Sequence, residues 1–395
     1  MIADVWDETN ALLLFQTWQH DFTLTEALIR IWTQPIAGLY RPLPLSVAFI
    51  GDSLLPFEGT TWYALRGLNI TILLVSFGLL LNLARSLAKP SQPLTKTRET
   101  LLALAFFSSG SVMITAGWFA NIFDAFTLFF ILVGIKKATE KHWIAAFITL
   151  SLAFYCKEIS ALIFPFLFAL CWSKKIPPKQ GAILFISLLS SFCLYLVIRQ
   201  NILPIGSKED IHGFHLTQLP QTLYAWFESL WWQNTRREAG ILGLVCSVLF
   251  FCSLKNLKIT FCAIGAMLAC TIIYLGMLPY EQDEKFTYLV FQSRLYLLPF
   301  VMLILIATVW GRSWSLSIVL MPILLGGIQS YTDYKRFQTV YAEIYQQAKK
   351  SDQTLIVDYP SSPLIDRRRN LKIGDYPNAP YLIDTQHARL IQVKP

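Results

Sequence analysis

Six ionisable side chains interrupt or border apolar stretches of this chain: Asp7, Arg41, Asp124, Lys157, Glu158 and Arg294. Asp4, Asp7 and Glu8 sit in "ADVWDETNALL", just ahead of an amphipathic stretch. Carboxylates there ordinarily complement a helix N-terminus, and a carboxylate at that position also suits a general base acting on a hydroxyl. Asp4 and Asp7 are three residues apart, which is not the spacing of a DxD metal pair. In "YRPLPL", Tyr40 and Arg41 precede two prolines, and Pro42 biases Arg41 toward extended backbone. The spacing predicts a stiff loop presenting a guanidinium. Its ordinary reading is an arginine snorkelling to headgroups, and its functional one a fork of donors for a lipid phosphate. In "FYCKEISALIFP", Lys157 and Glu158 lie at a turn between short apolar runs, where a Lys-Glu pair belongs to an interface or a wet cavity. Asp124, in "FANIFDAFTLFF", falls about one turn inside an apolar run. A lone carboxylate there faces a bundle interior and is a functional candidate. Arg294, in "FQSRLYLLPF", opens another run.

The elements that position these residues follow from composition. Of 395 residues 54% are hydrophobic and only 15% charged, too little polar surface for an ordinary soluble chain of this length. Apolar runs recur at Trp62 to Leu83, Leu101 to Ala116, Phe119 to Ile135, His142 to Cys156, Ile159 to Trp172, Gly181 to Ile198, Gly240 to Leu254, Ile259 to Leu278, Leu295 to Trp310 and Trp314 to Gln329. The expectation is an all-α polytopic membrane protein with about ten spans, several nearer 15 than 20 residues. Basic residues fall in alternate loops: Arg85, Lys89, Lys96 and Arg98; Lys136, Lys137 and Lys141; Lys174, Lys175 and Lys179; Lys255 and Lys258; Arg312. Cytoplasmic loops keep such residues, so residues 1 to 60 and 330 to 395 are expected on the outer face. That orientation puts all six candidate residues at the outer interface. The net charge of +8 is then a topology signal and calls for no nucleic acid.

Three regions are expected: an outer-face loop with interfacial helices over 1–60, a transmembrane bundle over 61–329 with an outer loop at 200–238, and a small soluble tail over 330–395. Leu24, Ala27, Leu28 and Ile31 form one helical stripe, read as a helix lying on the membrane surface. "PQTLYAWFESLWW" reads as a second interfacial helix. The tail reads as a polar helix near Tyr334 to Lys350, then a strand at "TLIVDYP". The seven cysteines lie in or beside apolar runs without CxxC spacing and read as small core residues. His212 and His215 have no third partner in sequence, so no metal site is expected, and a divalent cofactor is possible but not indicated.

In order along the chain, "DE", an amphipathic helix, "YRPL", "RGLNI", "FANIFD", "CKE" and "SRLYLLP" resemble the integral-membrane glycosyltransferases of the GT-C fold. The likeness is to the branch of protein O-mannosyltransferase relatives and bacterial enzymes using polyprenyl-phosphate sugars. It covers roughly residues 1 to 330 as an arrangement of spans. It implies a GT-C-like helical bundle and an inverting hexosyl or pentosyl transferase. The donor would be a polyprenyl-phosphate sugar and the acceptor a hydroxyl on a glycan, lipid or protein at the periplasmic face of a bacterial inner membrane. The catalytic acidic residue of the family falls on Asp7, followed by Glu8, and its phosphate contacts on Arg41 and Arg294. Lys157 joins them from topology alone, and Asp124, Glu158 and Tyr40 remain further candidates. The family carries a spanning helix before the acidic loop, and Asp7 follows Met1 by six residues, so a preceding helix is expected beyond this chain. Two other classes share such features: a transporter or lipid flippase, whose paired halves are not evident here, and a non-catalytic subunit that binds lipid-linked sugar and holds a partner through the tail.

Overall fold

The computed structural model describes residues 21–34, 40–54, 60–88, 93–117, 121–202, 220, 240–277, 296–312 and 314–324, with short strands at 357–358, 381–384 and 389–394. The chain is mostly helical. Helix α1 (Leu24–Thr33) starts with a capping box: the Thr23 hydroxyl accepts from the Glu26 amide, and Glu26 accepts from the Thr23 amide. Part of its stripe faces the protein, while Leu24 is exposed. Ala27 and Ile31 are buried against α2 (Pro42–Leu54) with Leu45, Ala48, Phe49, Leu65 and Ile122. The expected stiff loop at "YRPLPL" is likewise the start of a helix. Pro42 and Pro44 fall in the first turn of α2, where amides have no helical acceptor and proline costs no hydrogen bond.

Next come α3 (Thr60–Leu87), α4 (Lys96–Phe107) and α5 (Gly110–Gly117). The run Leu101 to Ala116, read as one span, is broken at Ser108 and Ser109. The Ser108 amide ends α4 on the Leu104 carbonyl, and the Ser109 hydroxyl accepts from the Val112 amide to begin α5. Then follow α6 (Ile122–Thr139), α7 (Trp143–Phe154), a 3-10 turn (Glu158–Leu162), α8 (Ile163–Trp172) and α9 (Pro178–Ile202). The remaining helices among the described residues include α10 (Gly240–Ser253), α11 (Leu257–Met277), α12 (Leu297–Trp310) and α13 (Ser315–Leu324).

Two described helices, Ala64–Leu87 within α3 and Pro178–Ile202, are long and apolar enough to cross a membrane, with mean hydropathy 2.0 and 2.4. At 25 residues α9 is about 37 Å long, against a hydrocarbon core of about 30 Å. Most of its apolar surface is not used inside the protein: Ile183, Ile186, Leu189, Leu194 and Val197 are exposed. The seven-cysteine core expected from sequence is also only partly realised, since Cys156, Cys246 and Cys262 are buried while Cys193 and Cys252 are exposed.

Helices α6 and α7 form the closest pair in the bundle, an antiparallel hairpin that also packs on α3 and α9. Its tip is tight. The Lys141 and His142 amides return to the carbonyls of Ala138 and Lys137, with Lys141 at φ 65°. A left-handed residue there is ordinarily glycine, and a lysine keeps the turn at some conformational cost. Along the hairpin, a Cβ on Gly134 would collide with the Leu150 side chain. The absence of a side chain is what lets α7 lie so close. At the same end of the bundle as the hairpin tip, Arg98 donates from its two terminal nitrogens to the carbonyls of Thr308 and Gly311, both at 2.9 Å, closing the end of α12. The Lys255 amide donates to Trp310 and the Arg312 amide to Ser253, tying the end of α10 to that of α12.

The tail contains a three-stranded sheet, β1 (Val357–Asp358), β2 (Tyr381–Asp384) and β3 (Arg389–Lys394), in the order β1-β3-β2. β3 runs parallel to β1 and antiparallel to β2. The strand expected at "TLIVDYP" is β1, while β2 and β3 are additions. The polar helix expected near Tyr334 to Lys350 and the interfacial helix at "PQTLYAWFESLWW" lie outside the described residues, apart from Pro220.

Gly134→Leu, which forces the α6–α7 hairpin apart, is expected to lower stability by about 1–3 kcal/mol. Thermal unfolding of the purified chain reads this out, and Gly78→Leu on α3, where a Cβ meets nothing within 4 Å, is expected to leave the midpoint within a degree or two.

Candidate functional site

The α6–α7 hairpin returns the chain to the end it left. Asp124 is the third residue of α6, and Lys157 and Glu158 follow the end of α7, so residues 33 apart meet. The Lys157 ammonium donates to both Asp124 oxygens, at 2.6 and 2.8 Å. Both side chains are at most 7% exposed. Asp124 also lies in the first turn of its helix, where the helix dipole favours an anion. The sequence reading paired Lys157 with its neighbour Glu158. The structure pairs it with Asp124 instead, because the backbone is extended at Lys157 (φ −167°, ψ 145°) and successive side chains of an extended chain point opposite ways.

Glu158 faces two arginines. Arg41 Nη2 stands 3.5 Å from Glu158 Oε2, and Arg199 Nε stands 3.6 Å from Oε1. Arg41 is held just before Pro42, and its guanidinium lies over the Phe123 ring at 5.1 Å. Arg199 comes from the last turn of α9, where a cation is favoured by the dipole. The Tyr195 hydroxyl lies 3.3 Å from Glu158 Oε1 and 3.4 Å from the Tyr40 carbonyl, so its one proton is shared between two acceptors. Tyr195 stacks on Tyr40 with ring centroids 6.1 Å apart and meets Tyr155 edge-on at 5.3 Å. Tyr40 in turn donates to the Trp32 carbonyl, and the Trp32 ring N–H donates to Ser46. The aromatic groups therefore tie α1 and α2 to α7 and α9 and carry Arg41 into place.

Among the described residues the cluster gathers three cations, Arg41, Lys157 and Arg199, and two carboxylates, Asp124 and Glu158. Burial pushes Glu158, in the turn between α7 and α8, up. Arg41, Arg199, its own backbone hydrogen bond and Lys157 outweigh that and hold it below the usual carboxylate range. Burial pushes the Tyr40 hydroxyl up to about 12, with Tyr155 adding to the rise. The arrangement suits binding a negatively charged group by charge-assisted hydrogen bonds from guanidiniums held in place beforehand.

Of the residues singled out from sequence, Tyr40, Arg41, Asp124, Lys157 and Glu158 are brought together. Asp7, Glu8 and Arg294 lie outside the described residues, as do His212 and His215. Among the described residues no three His, Cys, Asp or Glu side chains converge as metal ligands. Sequence reasoning missed Arg199 and Tyr195. Arg199 fell between the apolar run ending at Ile198 and the loop from Gln200. Two signals marked it: a cation on the face that the charge pattern assigns to few cations, and Tyr195 one helical turn before it.

No protein-family model, curated protein or solved structure matches this chain.

Asp124→Asn leaves the Lys157 ammonium buried beside a neutral amide, and stability is expected to fall by about 3–5 kcal/mol. The double variant Asp124→Leu with Lys157→Met, which removes both charges and keeps volume, is expected to recover most of that loss. A double-mutant cycle on thermal or denaturant midpoints measures it, and additive losses would mean that the two side chains do not act as a pair.

Proposed function

We propose that this chain is a polytopic membrane glycosyltransferase of GT-C type, moving a sugar from a polyprenyl-phosphate donor to a hydroxyl acceptor at the outer face of a bacterial inner membrane. The observation that carries the reading is the cluster of Arg41, Asp124, Lys157, Glu158 and Arg199, drawn from four separate segments to one end of an apolar helical bundle and largely buried there. A lipid phosphate leaving group accumulates negative charge as the glycosidic bond breaks, and preorganised guanidiniums stabilise that charge more than they stabilise the ground state. In this reading Arg41 and Arg199 face the phosphate, Lys157 and Asp124 fix the turn that carries Glu158, and Asp7 takes the acceptor proton, with Glu8 beside it and Arg294 as a further phosphate contact. The membrane part is supported by the exposed apolar faces of α3, α9, α10 and α11, including Ile70, Leu74, Val75, Leu244, Val248 and Phe261. Surface of that kind is costly in water and compatible with acyl chains.

Transfer from a panel of radiolabelled polyprenyl-phosphate sugars into membranes carrying the chain tests the proposal. Wild type is expected to turn over one donor, Arg41→Ala and Arg199→Ala to lose about 100-fold or more in kcat/KM with their folded fraction retained, and Asp7→Asn to lose turnover. Unchanged turnover in Arg41→Ala would sink the phosphate assignment. Uptake or flipping of the lipid without sugar transfer would replace the enzyme reading with a transporter.

A further inference from the structure

The basic rim at the hairpin-tip end is unevenly neutralised. On one side Arg85 is paired with Glu99 at 2.6 Å, and Glu140 with Lys137 at 3.0 Å and Lys136 at 3.7 Å. On the other, the described segments 159–202, 240–277 and 296–324 contain no aspartate or glutamate. Lys174, Lys179, Lys255, Lys258 and Arg312 nevertheless stand exposed where those segments turn at this end. Their backbone is fixed. The amides of Ser173, Lys174 and Lys175 return to the carbonyls of Ala169, Cys171 and Leu170, Lys174 sits at φ 58°, and a Cβ on Gly181 would collide with the Cys171 sulfur. Helix α11 begins beside that turn, with the Lys258 ammonium 5.8 Å from the Trp172 ring centroid. Lys175, half-buried in the same turn, is engaged within the protein.

We propose that the α8–α9 turn and the start of α11 form a binding site for an anionic glycerophospholipid. Lys174 and Lys258 hold its phosphate, and Lys179, Lys255 and Arg312 supply surrounding charge. Two observations select a lipid over a soluble anion. The first is charge: a phosphodiester supplies the negative partner that these segments lack, and relieves the repulsion among cations fixed at one end. The second is the surface that runs away from the cations. Phe168 lies one turn back along α8 from Trp172 and meets it edge-on at 5.3 Å, and both rings are exposed. Leu257, Phe261 and Leu268, spaced four and seven residues apart on one stripe of α11, are exposed as well. From Leu257 to Leu268 the stripe is about 16 Å long, close to half of a hydrocarbon core of about 30 Å and so to the reach of one acyl chain. The inference rests on the membrane reading of the chain and is independent of glycosyl transfer at the opposite end.

The test titrates the full chain in dodecyl maltoside with phosphatidylglycerol, phosphatidylcholine or inorganic phosphate, and measures bound lipid by native mass spectrometry and the rise in unfolding temperature. Wild type is expected to bind phosphatidylglycerol at least about tenfold tighter than phosphatidylcholine and to be stabilised by it. Lys174→Gln with Lys258→Gln is expected to cut that preference to about twofold or less, with phosphatidylcholine binding unchanged. Lys258→Gln alone, at an exposed position, is expected to lose about fivefold and supplies the answer if the double variant does not fold. Lys136→Gln with Lys137→Gln removes as many cations from the neutralised side and is expected to keep the preference. Equal loss in that control, or none in the lysine variants at 174 and 258, overturns the inference. Equal binding of the two lipids by wild type also overturns it, and leaves the membrane reading standing. Stabilisation by inorganic phosphate as large as by phosphatidylglycerol assigns the cations to a soluble anion and overturns the lipid. A chain that stays monodisperse without detergent and binds neither lipid overturns the membrane reading as well.

Discussion

Taking a charge out of water into an apolar interior costs several kcal/mol per ion, and that cost is recovered only where an opposite charge and hydrogen bonds stand in the right place. Asp124, Lys157, Glu158 and Arg199 are each at most 6% exposed at one end of this bundle, with Arg41 beside them. Much of the surrounding structure follows from that constraint. The α6–α7 hairpin has to be short and tight enough to return Lys157 to Asp124, α9 has to end where Arg199 reaches Glu158, and the N-terminal helices have to deliver Arg41 from the other side.

The apolar elements meet those demands by packing. Gly134 lets α7 approach α6, and the cluster of Ala27, Ile31, Leu45, Phe49, Leu65 and Ile122 seats α1 and α2 against α3 and the start of α6. Ile122 and Asp124 lie two residues apart, so the apolar seat and the ionic site are built on the same first turn. At the opposite end Arg98 closes α12, and lysines hold the left-handed turns at 141 and 174. The two ends use charge differently. The basic rim satisfies carbonyls and turns at the surface, whereas the buried cluster pairs charge with charge.

That cluster connects the fold to the proposed chemistry. Lys157 donates to both oxygens of Asp124, so the pair behaves as a structural rivet in an apolar setting. Glu158 is shared between Arg41, Arg199 and the Tyr195 hydroxyl, and so joins three segments of the chain. A site that binds an anion benefits from cations held in place beforehand, since less reorganisation is then asked of it on binding.

Composition and the 3.6-residue pattern were enough to foresee a helical, strongly apolar chain, because burial or lipid exposure demands apolar side chains whatever their partners. The same reading found Tyr40, Arg41, Asp124, Lys157 and Glu158, since a charge amid apolar residues is conspicuous in one dimension. It did not find the helix starting at Pro42, because Pro-rich sequence fits both a stiff loop and a first turn, nor the break at Ser108 and Ser109, because both halves of that run are apolar. It also did not foresee that Lys157 turns away from Glu158 toward Asp124, or that Arg199 completes the cluster. Those pairings depend on the backbone direction at one extended residue and on where two helices end relative to each other. Charge type is a property of a residue, whereas the partner of a charge is set by distances of a few ångströms between segments far apart in sequence, and only tertiary packing decides those.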